Sequence, residues 1–166
     1  MGRAGIFLAE LIVGALILGV AIMALLGAFA GQATVNEHTR NLFWAANDAR
    51  RVMEGLRRLN TGAACTQPPT ASPVGFADWD AWLADTTVNG GGGKTLQFDP
   101  ATEERVIVTT TPGADPMPVT VAVCWRHRRR ILGECAGTPL VPNDANGDGI
   151  ISSPAMLSTF MTCRKG

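Results

Sequence analysis

Charge imbalance is missing from this chain: 14 lysines and arginines offset 14 aspartates and glutamates over 166 residues, for a formal net charge of +0. No global field draws the chain to nucleic acid or to an anionic membrane surface. The only two histidines, His38 and His127, are far apart in sequence, and no nucleophile lies in a local activating motif, so catalysis finds no support and an enzyme is not expected. The cysteines, Cys65, Cys124, Cys135 and Cys163, include no Cys-x-x-Cys pair, which removes the usual zinc and thioredoxin-like sites. Internal repeats are absent as well. Charge is scarcest near the N-terminus, where Glu10 is the one ionisable side chain between Arg3 and Glu37.

Leu11 to Ala30 supplies about the 20 apolar residues that a bilayer-spanning helix needs at a rise of about 1.5 Å per residue. A cleaved secretory signal is the competing reading, and Ala28-Phe29-Ala30-Gly31 resembles its cleavage site, but the apolar core of such a signal runs about 7–15 residues and has no reason to hold an acid. A carboxylate at the centre of a membrane helix costs about 2.5–3.5 kcal/mol, so intramembrane acids mark a function or a partner. Flanking charges barely resolve orientation. The even set of cysteines beyond the run suits an oxidising compartment and predicts two disulfides. Four cysteines allow three connectivities, of which Cys124 with Cys135 and Cys65 with Cys163 is preferred.

Arg3 in a very short leader, Gly5 closing it and Glu10 as the fifth residue after that glycine resemble the N-terminus of type IV prepilins and type II secretion pseudopilins. The resemblance implies cleavage after Gly5 by a prepilin peptidase and methylation of the new terminal amine, on Ile6. The family more often begins with phenylalanine, which here follows at Phe7. Gly19 falls where many pilins carry glycine. Gly27 stands where major pilins often have proline, which favours a minor pilin or pseudopilin. The segments from Ala45 to Arg57 and from Val119 to Trp125 resemble, more loosely, minor pilins of the V type and the related I-type pseudopilins, which prime assembly at the filament tip. The implied partners are other pilin or pseudopilin subunits, the prepilin peptidase, the inner-membrane assembly platform and the membrane. The implied location is single-pass in a bacterial inner membrane, with an extracytoplasmic C-terminal domain, and then in a filament in the periplasm or at the cell surface. Glu10 is the implied assembly residue, paired with the methylated terminal amine of its own or a neighbouring subunit. A membrane-anchored binding module, such as a DNA or surface adhesin, is the alternative.

This gives a leader at 1–5, a membrane or filament-core helix at 6–31, its amphipathic continuation at 32–59 and a globular domain at 60–166. Leu42, Ala45, Ala49, Val52, Leu56 and Leu59 recur at steps of three and four, while Arg40, Asn47, Asp48, Arg51, Glu54 and Arg58 are assigned to other faces. A helix from Phe7 to Leu59 would be roughly 80 Å long, suited to a filament or bundle. Asn60-Thr61-Gly62 and Pro68-Pro69 end it. Asp78 can cap a short helix through Leu83, and Asn89 to Gly93 reads as a flexible turn. Strands are predicted at Thr95 to Phe98, Arg105 to Thr111, Val119 to Arg126, Arg129 to Leu132 and Met156 to Cys163. The predicted class is α+β: a long N-terminal helix packed on a small antiparallel sheet of about four strands, the pilin fold.

Three further patterns bear on ligands. Gly90 to Thr95 imitates a phosphate-binding loop, but the frame requires glycine where Val88 stands, so a surface turn is the reading. Asp144, Asn146, Asp148 and Gly149 match the front half of a calcium loop, with Ser152 at its ninth place. Ala155 replaces the bidentate glutamate, which leaves calcium a candidate cofactor beside a metal-free turn. Arg126, Arg128 and Arg130 would share one face of a strand at about 7 Å spacing, a candidate contact for DNA phosphates, against the alternative of a charged hairpin or edge strand that resists edge-to-edge association.

Overall fold

A computed structural model describes residues 3–60, 72–96, 103–111 and 114–162, with side chains from Leu8 onward. Its elements are α1 (Arg3–Leu59), α2 (Trp79–Ala84), β1 (Glu104–Thr110), β2 (Met117–His127), β3 (Arg130–Leu132), β4 (Cys135–Ala136), β5 (Val141–Pro142) and β6 (Ala155–Met161). The chain divides into two units, Met1–Arg40 and Asn41–Gly166.

In the first unit, α1 is predominantly apolar. It holds a window of mean hydropathy 2.7, long and apolar enough to span a membrane. Leu11, Leu16, Met23 and Leu26 each expose more than half of their surface. Apolar area of this extent is stable only against lipid or other apolar helices.

In the second unit, the amphipathic end of α1 packs on an antiparallel sheet. Ala45, Ala49, Val52 and Leu56 are completely buried, as their spacing predicts, whereas Leu59 is half-exposed at the helix end. Complete burial of a Val or Leu contributes about 1.5–3 kcal/mol, so Val52 and Leu56 anchor this contact. β2 is the central strand. One edge pairs with β1 (Val106 opposite Val123), and the other pairs with β6 (Val121 opposite Leu157) and then β3 (Trp125 opposite Leu132). Period-two alternation sends Met117, Val119, Val121, Val123 and Trp125 into the core shared with α1. Ala122 and Cys124 enter a second cluster with Cys135, Leu140 and Ile151.

Asp78 caps α2 as predicted, its carboxylate accepting from the Ala81 N–H at 2.7 Å. Gly55 lets α1 approach α2, because a Cβ there would lie 2.9 Å from the Trp79 ring and 3.1 Å from that of Trp82. The glycine segment is not a free turn. Gly90, Gly91 and Gly92 donate to the carbonyls of Thr87, Trp82 and Asp85 at 3.0, 2.7 and 2.9 Å, which folds the strap back onto α2. Gly92 and Gly93, at φ +88° and +87°, hold a backbone conformation that side chains disfavour. Thr95 and Leu96 are not in a strand, and the remainder of that predicted strand, like Thr61, Gly62, Pro68 and Pro69, lies outside the described residues.

Candidate functional site

Glu10 is exposed on α1 with Leu8, Leu11, Ile12 and Val13 around it, each more than half exposed. A carboxylate on such a surface is compatible with lipid or a filament core only if a cation or donor meets it there. Gly5 and Ile6 lie in the helical backbone of α1, and the Ile6 side chain lies outside the described ones. Further along the first unit, the Thr34 and Thr39 hydroxyls donate to the carbonyls one turn back, at 3.2 and 2.9 Å.

The three arginines do not share one strand face. Arg126 is on β2, Arg128 is in the turn of the β2–β3 hairpin at φ +58°, and Arg130 begins β3 opposite His127. A two-residue turn reverses the chain between them, so the regular spacing assumed along one strand is lost. Arg126 is also engaged within the fold. Its guanidinium donates to the Gly137 carbonyl at 2.9 Å and the Thr138 hydroxyl at 2.8 Å, with Glu103 at 3.4 Å.

In the Asp144 loop, side-chain oxygens serve the loop's own backbone. Asp144 accepts from the N–H groups of Gly147 and Gly149, Asn146 from that of Asp148, and Asp148 from that of Ile150, at 2.7–2.9 Å. These bonds define a series of Asx turns. Among the described residues, no group of three or more His, Cys, Asp or Glu side chains is placed to hold a metal ion. Cys124 and Cys135 form a disulfide with a Cα–Cα distance of 6.2 Å. Cys65 and Cys163 lie outside the described residues.

The densest charged constellation went unrecognised in the sequence reading. Asp48, assigned there to a polar face, is completely buried, because the stripe holding Ala45, Ala49 and Val52 also contains position 48. Its carboxylate pairs with Arg51 and accepts from the Thr95 N–H at 2.8 Å, the Leu96 N–H at 3.3 Å and the Thr95 hydroxyl at 2.6 Å. Arg51 in turn donates to the carbonyls of Gly91 and Gly93 at 2.9 and 2.6 Å, tying the glycine strap to α1. Beside this clamp, Lys94 Nζ lies 2.8 Å from Asp80 Oδ1 and donates to the Glu104 carbonyl at 3.0 Å. Asp80 also accepts from the Val106 N–H at 2.8 Å and faces Arg105 at 3.3 Å, while Arg105 reaches Asp78 at 2.6 Å.

Glu104 is 2% exposed, its carboxyl buried beside that of Asp48. Burial, then the neighbouring Asp48 charge, pushes its pKa up from 4.5 to about 9, with Lys94 opposing, so it is an uncharged acid at neutral pH. One signal was available. Glu104 precedes Val106 and Val108 by steps of two, which points it to the same face of the sheet.

Comparison with protein-family profiles, with curated proteins and with solved structures gives no match.

Proposed function

We propose that the chain is a minor type IV pilin or pseudopilin, processed after Gly5 by a prepilin peptidase and assembled from the membrane into a pilus or pseudopilus. The observation that carries the reading is the apolar half of α1, whose membrane-length window is unburied among the described residues and which carries one carboxylate, Glu10, near its start. The fold of the second unit is compatible with it, since the helix continues as an amphipathic segment packed on an antiparallel sheet. Repetition of one heterologous contact by a screw operation gives an open filament. Within it, Glu10 would meet the terminal amine of Ile6 from its own or a neighbouring subunit. Desolvation offsets much of that attraction, so the pair sets register more than stability.

Mass spectrometry of the purified chain tests the processing step. A mature terminus at methylated Ile6 is expected. An intact Met1 would refute the reading and favour a membrane-anchored binding module. Glu10→Ala is expected to leave membrane insertion intact and abolish incorporation into filaments, measured in sheared filament fractions. Incorporation at the wild-type level would remove the register role.

A further inference from the structure

We propose that Lys94 and Asp80 condense into an intramolecular amide, a covalent cross-link between the glycine strap and α2. The reacting groups are already in contact: Lys94 Nζ lies 2.8 Å from Asp80 Oδ1, with the two side chains only 11% and 12% exposed. Contact at this distance, held by a folded core, replaces an encounter between two separate reactants. Partners on both sides hold the pair. The Glu104 carbonyl accepts from Nζ at 3.0 Å, and Asp80 is fixed by the Val106 N–H at 2.8 Å on Oδ1 and by Arg105 at 3.3 Å on Oδ2. Trp79 and Leu96, next in sequence to Asp80 and Thr95, belong to the buried core, which limits the water that would otherwise solvate an ammonium and a carboxylate.

The condensation balances without a co-reactant. A proton passes from the ammonium to Asp80 Oδ1, giving amine and carboxylic acid. The Nζ lone pair forms the N–C bond at Asp80 Cγ. Negative charge gathers on Oδ2, where the Arg105 guanidinium meets it. The bond from Cγ to Oδ1 then breaks and Oδ1 leaves as water. Ammonium plus carboxylate becomes amide plus one water, with no oxidant and no activating group. A second proton must travel from Nζ to the leaving oxygen. The Glu104 carboxyl, buried and close enough to interact electrostatically with Lys94 and Asp80, is the group assigned to carry it.

Peptide mapping of the full chain decides the matter. The protein is purified in detergent, denatured, reduced, alkylated and digested with trypsin. An amide-linked lysine is not a trypsin site, so the linked chain yields a peptide from Leu59 to Arg105, uncut at Lys94 and one water lighter than its sequence, with fragment ions joining Asp80 to Lys94. Asp80→Ala should restore cleavage at Lys94 and full mass. Glu104→Gln should slow or abolish linkage in a time course after synthesis. Complete cleavage at Lys94 in the wild-type chain, with the Leu59–Lys94 peptide at full mass, would overturn the proposal and leave a permanent ion pair. Linkage of Glu104→Gln at the wild-type rate would overturn the proton-carrying role.

Discussion

Glu104 makes the stability of the second unit depend on pH in the direction opposite to most glutamates. Its folded pKa, about 9, lies above the ordinary value of 4.5, so between these values the folded state holds a proton that the unfolded chain has released. Its contribution is fully present below the unfolded pKa and is lost as pH rises through the folded one. The slope for one proton is about 1.4 kcal/mol per pH unit, which amounts to roughly 4 kcal/mol lost between about pH 5 and pH 8. Glu104→Gln keeps nearly the same shape and cannot ionise, so it should remove this slope. The amide's fit sets the vertical offset of the variant and leaves the slope unchanged. Unfolding of the full chain in detergent, followed by near-ultraviolet circular dichroism of the tryptophans across that pH range, measures both profiles. The other carboxylates contribute to both proteins and cancel in the difference. Parallel profiles would show that Glu104 is ionised in the folded protein, and the argument from burial and Asp48 would be wrong.

Asp48→Ala leaves the Thr95 and Leu96 N–H groups and Arg51 without their acceptor, and should cost about 3–5 kcal/mol in the same assay and free the glycine strap to proteolysis. Gly55→Ala places a methyl 2.9 Å from the Trp79 ring and should cost about 1–3 kcal/mol, with an altered near-ultraviolet tryptophan signal. Replacing Cys124 and Cys135 together by alanine opens a loop of sequence separation 11 and should cost about 3 kcal/mol, read as a lower denaturant midpoint.

The elements that were legible in sequence are those whose signal is local. The cap at Asp78, the β-branched runs of β1 and β2, and the stripe Ala45, Ala49, Val52 and Leu56 each follow from backbone geometry and the period of apolar residues, and each stands where it was expected. The basic run forms the charged hairpin that stood as the alternative, and the shared strand face is lost because the chain reverses in a two-residue turn at Arg128 and Arg129, of which composition carries little sign. The glycine segment does turn, but its fixed course is not legible in the sequence. Glycine permits many conformations, and the bonds that choose one come from Arg51, distant in sequence.

By itself, the sequence determined that a membrane-length helix carrying a single acid leads into an amphipathic segment and an antiparallel sheet, because helix length, hydropathy and side-chain period are properties of consecutive residues. Only the tertiary structure decided that Asp48, Asp80 and Glu104 would be buried, with Lys94 half-buried against Asp80. Their charges look ordinary along the chain, and their chemistry depends on the water that packing removes and on neighbours that folding brings within about 3 Å.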